Sequence, residues 1–299
     1  MSILTIQNIR KSYGPIQALK GVSFNVPEGS VFGILGPNGS GKTTLLGTVL
    51  NVLLANEGSY AWFNGVHHDT ARREIGSLLE TPNFYHYLSA EDNLEIAAAI
   101  KQRGANDITR VLGLVGLLER RKSKFSSFSL GMKQRLAIGA ALLGHPKVLV
   151  LDEPTNGLDP AGIAEIRDLI RQLNAQGITI IMASHLLDEV EKVCTHVAIL
   201  KLGTLLVTGP VEEVMRSEDL IEVKAANLSG LKSLLSTMPG IQKVKEAEGY
   251  LQLTADEGIQ PIDINQYCMQ QGMVLSHLIL KKKSLESKFM ELTNGGAVA

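Results

Sequence analysis

The chain has 299 residues, 44% of them hydrophobic and 20% charged, with a net charge of −1 at pH 7. This is an ordinary globular composition, long enough for two domains with buried cores. The even charge balance, with no basic run longer than ERRKSK at 119–124, excludes a protein held mainly on nucleic acid phosphates.

In chain order, ILTIQNI, VSFNV and VFGIL read as short strands, punctuated by Gly14–Pro15 and by Pro27–Glu28–Gly29. A helical pattern, TTLLGTVL, starts after Gly41. The His67–His68 pair reads as a turn, because no further metal ligand stands near it. From 89 to 144 the pattern is almost wholly helical. SAEDNLEIAAAIKQRG has a Ser89…Asp92 start and a Gly104 stop, NDITRVLGLVGLLER follows, and a third helix runs from Ser129 to Gly144, just before Pro146.

KVLVLDEPTNGLDP is a β-run closed by turn residues. AGIAEIRDLIRQLNAQG is an amphipathic helix with Ile163, Ile166, Ile170 and Leu173 on one face. ITIIMAS is a further strand, apolar on both sides. Such strands predict a parallel sheet covered by helices on both faces, so the fold class is α/β interrupted by a helical insertion. After Gly209–Pro210 the order becomes β-α-β-β-α-β, which fits a small α+β ferredoxin-like domain, followed by a final helix SLESKFMELT. The expected domains are 1–217, with a helical subdomain at about 87–144, and 218–299. Cys194 and Cys268 stand far apart without metal-ligand spacing and point to free thiols in a reducing compartment. The N-terminus lacks an apolar signal core, and the longest nearly uniform apolar run, Leu136–Gly144, is about half what a bilayer crossing needs.

GPNGSGKT, Gly36 to Thr43, fits the G-x-x-x-x-G-K-[ST] loop between a strand and a helix. Its glycines permit tight turns whose N–H groups converge on phosphate oxygens. Lys42 reaches the β- and γ-phosphates, and the Thr43 hydroxyl takes Mg²⁺. Candidate nucleotide contacts are therefore Gly36, Pro37, Asn38, Gly39, Ser40, Gly41, Lys42, Thr43 and Thr44. At the tip of VLVLDE, Asp152 and Glu153 are adjacent carboxylates that repel each other unless a cation is near. Asp152 is the natural Mg²⁺ partner, and Glu153 the candidate base that polarises the attacking water. His185 follows ITIIMAS at the same sheet edge, in place to hydrogen-bond a γ-phosphate. Tyr13, taken alone, reads as a strand-surface aromatic.

The helix that ends at Gly144 has an unusual opening. Its first turn holds Leu130, Gly131, Met132 and Lys133, with none of the acidic residues that helix N-termini gather. An end left this positive is kept open for an anion.

Taken together, residues 1 to 215 resemble the ATP-binding subunit of an ABC transporter, which implies a RecA-like P-loop NTPase core with N-terminal antiparallel strands. SLGMKQ at 129–134 stands where that family has its LSGGQ signature, NGLDP at 156–160 resembles the D-loop, and Ser184–His185 the switch histidine. The resemblance implies that Tyr13 stacks on adenine. It also implies a head-to-tail pair of ATPase subunits, in which Ser129 and Gly131 meet the ATP held by the partner. The signature departs from the family pattern at Leu130 and Met132, and Glu80 stands where the family has Gln, which makes Glu80 a candidate ligand of Mg²⁺ or of a metal-bound water. These departures and the C-terminal domain resemble the branch that includes bacitracin- and lantibiotic-type exporters with separate membrane subunits.

The implied function is ATP binding and hydrolysis that drives polytopic membrane subunits, at the cytoplasmic face of the membrane. Contact with those subunits is expected from Glu80 through about Leu94. The alternative is a soluble ABC-type ATPase acting on ribosomes or DNA; no tandem ATPase pair, long coiled coil or zinc insertion supports it. The C-terminal unit reads either as an appendage that stabilises a dimer or as a regulatory ligand module.

Overall fold

A computed structural model of the chain describes residues 1–65, 68–79, 83–215, 220–247, 249–256, 258–281 and 289. The predicted boundary at 217, Glu80, His67 and all but residue 289 of the predicted final helix lie outside these. The chain divides into two compact units, Met1–Val211 and Glu212–Ala299. Among the described residues no helix is long and apolar enough to cross a membrane.

The first unit opens with β1 (Ser2–Tyr13) and β2 (Ile16–Pro27), a long antiparallel hairpin. β3 (Val31–Leu35) leads into α1 (Lys42–Val49), and β4 (Glu57–Trp62) returns to pair antiparallel with β1. α2 (His68–Arg73) and β5 (Ile75–Leu78) precede three helices, α3 (Ala90–Lys101), α4 (Ile108–Leu114) and α5 (Leu130–Leu142). The chain then alternates through β6 (Val148–Asp152), α6 (Pro160–Ala175), β7 (Thr179–Ser184), α7 (Leu187–Val193) and β8 (His196–Lys201). β9 (Thr204–Pro210) follows, and the short α8 (Val211–Met215) starts at the last residue of this unit, its other residues belonging to the second.

Six of these strands form one sheet in the order β5-β6-β7-β3-β8-β9, parallel except for the β8–β9 pair. Every residue of β3, β6 and β7 is buried. This is why these strands are continuous apolar runs rather than alternating ones: helices lie on both faces. One core joins this sheet to the three-stranded one through α1, with Phe32, Leu45, Leu46, Trp62 and Val150 among its members. The buried Trp62 indole satisfies its polar end by donating to the Val49 carbonyl at 2.8 Å. Because β6, β7 and β3 are parallel neighbours, their C-terminal tips share one edge, where such sheets hold ligands.

Four local expectations need correction. β1 and β2 are twelve residues each, longer than the predicted strands, because register shifts at Ile6/Ile9 and Lys11/Ser12 break the alternation on which short strands are read. α3 ends at Lys101, before Gly104: Gln102 takes the left-handed conformation (φ 54°), and the Arg103 N–H closes the end on Ala98 O. Gly104 instead starts the 3₁₀ turn Ala105–Asp107. The predicted helix at 106–120 breaks at Gly116 (φ 66°), leaving α4 and a 3₁₀ turn at Leu118–Arg120. His68 begins α2 rather than lying in a turn.

The second unit comprises β10 (Leu220–Ala225), α9 (Leu228–Leu235), β11 (Ile241–Ala247), β12 (Tyr250–Ala255), α10 (Pro261–Gln270) and β13 (Leu275–Lys281). Its antiparallel sheet has the order β11-β12-β10-β13. Ile221, Val223, Leu251 and Leu253 pack with Leu231 and Leu235 of α9 and with Ile264 and Cys268 of α10 in a separate core.

A half-buried lysine ties α3 to α5. Lys101 Nζ donates to Ala140 O at 2.6 Å and to Ala141 O at 3.1 Å, two carbonyls of the last turn of α5. Burial, with Arg103 nearby as the second cause, pulls its pKa down from 10.5 to about 8. Between those values the folded chain binds fewer protons than the unfolded one, so this group adds stability as pH rises through the window. Relative to Lys101→Met, the wild type is expected to gain about 2 kcal/mol between pH 8 and pH 10. Urea unfolding of both proteins at each pH measures this; a constant difference would contradict it.

Candidate functional site

Residues 36–41 carry the chain from β3 into α1. Gly41 sits at the N-cap with φ 104°, and a Cβ there would lie 2.6 Å from the Ala18 carbonyl oxygen, so the loop closes this tightly only around glycine. The first turn of α1 contains no acidic residue, and its N–H groups lack intrahelical partners. Such an end favours an anion. Lys42 is the first residue of α1, and its side chain is only 6% exposed. Its ammonium donates to Gly36 O at 2.8 Å and to Pro37 O at 3.3 Å, and lies 3.3 Å from Glu153 Oε1.

Glu153 leaves β6 with φ 47°, a left-handed conformation that is strained for a residue with a side chain. Its N–H donates to Ala183 O of β7 at 3.0 Å, which fixes the turn. The carboxylate then bridges two elements, one oxygen toward Lys42 and the other 2.8 Å from His185 Nδ1. An ionised carboxylate only accepts, so Nδ1 is the donor in this contact. Asp152, the last residue of β6, is buried beside Ala183 in the β6–β7 register. Lys42, Glu153 and His185, distant in sequence, thus meet at one sheet edge.

A cleft of about 750 Å³ opens over this loop, within the usual size of a small-molecule site. Tyr13, Asn38, Gly39, Gly41, Lys42, Thr43, Thr44 and Glu153 line it. Gly36 and Pro37 act from behind through their carbonyls, and Ser40 is buried within the loop. His185 and Asp152 stand at the sheet edge rather than in the cleft wall. Ile16, Gln17, Ala18, Lys20 and Leu202 also line the cleft, and sequence reasoning missed them. For Ile16, Gln17, Ala18 and Leu202 the one signal was their position soon after Tyr13 or in the turn after β8, since their side chains carry no distinctive chemistry, and Lys20 stood as one lysine among many.

Ser129 and Gly131 do not line this cleft. Ser129 caps α5, its Oγ accepting from the Met132 N–H at 3.2 Å, and both Ser129 and Leu130 are exposed. The turn at NGLDP lies against this end: a Cβ on Gly131 would stand 3.9 Å from Leu158, and one on Gly157 3.3 Å from Leu130. Asp159 holds that turn by capping α6, accepting from the Gly162 N–H at 2.8 Å.

The arrangement matches known proteins. The ABC transporter family model matches residues 19–156. An uncharacterized ABC transporter ATP-binding protein of Bacillus subtilis is 36% identical, covering 97% of this chain and 95% of its own length. The bacitracin transport ATP-binding protein of Enterococcus faecalis is 32% identical, covering 99% of this chain and 98% of its own. The dimeric structure of an ATP-binding cassette in a post-hydrolysis state, bound to ADP and phosphate, is similar with a TM-score of 0.61. It is 28% identical and covers 70% of this chain and 98% of its own.

The loop geometry makes one substitution decisive. Gly41→Ala would place a methyl group against Ala18 O at a backbone angle that alanine disfavours. The variant is expected to keep its far-ultraviolet circular dichroism while losing at least about tenfold in ATP affinity. Isothermal titration with ATP reads this; wild-type affinity would show that the loop tolerates the change.

Proposed function

This chain belongs to the ABC transporter ATP-binding proteins, and from that membership we propose that it powers export through separate polytopic membrane subunits, as a bacitracin- or lantibiotic-type system would. It is an ATPase. In the proposed reading it sits peripherally at the cytoplasmic face of the membrane, with residues 1–217 as the ATPase domain and 218–299 as an accessory one. Two of its relatives are named for transport or for transporters, which favours this over a soluble ATPase on ribosomes or DNA.

The observation that carries the reading is the convergence of Lys42, Glu153 and His185 at the mouth of a strand–loop–helix anion site. Lys42 is assigned to the β- and γ-phosphates, the loop from Gly36 to Gly41 with Thr43 and Thr44 to the phosphate chain, and Tyr13 to the base. His185 is assigned to the γ-phosphate and Glu153 to orienting and deprotonating the attacking water. For Mg²⁺ the donor set fits: the Thr43 hydroxyl and the Asp152 carboxylate are hard oxygen ligands, and Glu80 is a further candidate. When bound, Mg²⁺ would neutralise charge on the transferring phosphoryl group.

The second part of the reading concerns Ser129 and Gly131. They lie outside the cleft of their own chain, at a helix end with only one N–H capped by the Ser129 side chain. They are assigned to the ATP of a second subunit, in a two-fold arrangement that is self-complementary.

Two experiments test these assignments. Glu153→Gln is expected to bind ATP at least as tightly as the wild type and to hydrolyse it roughly 10²–10⁴ times more slowly. It should accumulate as an ATP-bound dimer on size-exclusion chromatography with ATP and Mg²⁺. Turnover near the wild-type rate would remove Glu153 from the role. For the shared site, Lys42→Ala subunits mixed with Gly131→Asp subunits form heterodimers with one intact composite site. Partial recovery of ATPase activity on mixing is expected, and its absence in a dimer that demonstrably forms would count against sharing.

A further inference from the structure

Tyr13 carries a cation on its ring. Lys11 Nζ lies over that ring, 5.3 Å from the centroid, within the range of a cation–π contact. The two residues are i and i+2 on β1, and the contact itself brings their side chains together across the register shift at Lys11/Ser12. Pairing with β2 fixes both, since Lys11 stands opposite Leu19 and Tyr13 opposite Ile16. Tyr13 is 46% exposed and lines the cleft, whereas Lys11 does not line it. The ammonium thus meets the ring from outside the residues that form the cleft wall.

We propose that Lys11 is a positioning residue for nucleotide binding, acting through Tyr13. This rests on the reading that Tyr13 stacks on the base. The ammonium acts in two ways. It holds the ring in one orientation before the nucleotide arrives, which lowers the ordering cost of the stack. It also draws π-electron density toward itself, so the opposite face repels the π-cloud of an electron-rich purine less. Lys11 thereby strengthens base binding without touching the nucleotide or the reacting atoms.

The test is a double-mutant cycle on the full chain, read as Kd for the non-hydrolysable analogue AMP-PNP and as kcat and KM for ATP. Lys11→Met should raise Kd and KM about two- to fivefold and leave kcat unchanged. Lys11→Arg should restore the affinity, because guanidinium also binds aromatic faces. Tyr13→Ala should raise Kd at least about fivefold, and Lys11→Met added to it should change nothing further. Tripolyphosphate, which has no base, should bind Lys11→Met and wild type equally. If Tyr13→Ala weakens binding and Lys11→Met does not, the role of Lys11 is wrong while stacking stands. If Lys11→Met weakens binding equally without Tyr13, or weakens tripolyphosphate binding, its effect is charge attraction and the proposal is overturned. If Tyr13→Ala leaves the nucleotide affinity unchanged, the stacking reading fails and the proposal fails with it.

Discussion

An ammonium almost withdrawn from water is the constraint around which the first unit is built. Leaving water costs a charged group several kcal/mol unless it is paired and hydrogen-bonded. Lys42 meets that requirement with two carbonyls of its own loop and with a carboxylate delivered from another strand. For this to happen, β3 and β6 must end at the same sheet edge, and β7 must lie between them in parallel register. Glu153 must also turn back toward α1, which it does at φ 47°. Such a conformation costs on the order of 1–2 kcal/mol, and the ion pair with Lys42 and the contact with His185 offset it.

The helical segment treats its helix ends in two different ways. α3 opens with a complete capping box: Ser89 Oγ accepts from the Asp92 N–H, Asp92 accepts from the Ser89 N–H, and Glu91 adds charge to the same turn. α5 opens with Ser129 alone and no acid in its first turn. Its other end is the reverse, with Lys101 on the last carbonyls where the macrodipole favours a cation. The helix is thus compensated at its C-terminus and left open at its N-terminus. Leu158 beside Gly131, and Arg135 to Glu165 at 3.6 Å, hold that open end against the segment leading into α6. An exposed N-terminus with no acidic residue in its first turn suits an anion.

What was legible in the sequence follows from the physics of each element. VFGIL, VLVLD and TIIMAS were readable because a strand buried on both faces must be a continuous apolar run. The phosphate loop was readable because its glycines and lysine stand at spacings that little else requires. The β1–β2 hairpin was only half visible: its outer half, RKSY on β1 and IQALKG on β2, crosses register shifts that break the period. Gln102 in a left-handed conformation hid the end of α3, since a glycine two residues later looked like the better stop. The wall formed by Ile16, Gln17, Ala18 and Leu202 was invisible, because ordinary side chains become a site only through the fold. Adjacent carboxylates at 152 and 153 gave no sign that Glu153 would pair with Lys42 and His185 at once.

That double engagement bears on how the proposed chemistry is ordered. Lys42 has three N–H donors, and all three have partners in this geometry: Gly36 O, Pro37 O and Glu153. A phosphate oxygen can take one of them only by displacing a partner. The Gly36 contact at 2.8 Å shapes the loop, so the longer contact to Glu153 is the one to yield, and the incoming phosphate replaces the negative charge that leaves. In the role proposed for Glu153, the same exchange frees one of its oxygens for the attacking water, with His185 still bound to the other. In the proposed chemistry, phosphate binding at Lys42 and release of the Glu153 carboxylate are therefore a single rearrangement about one ammonium.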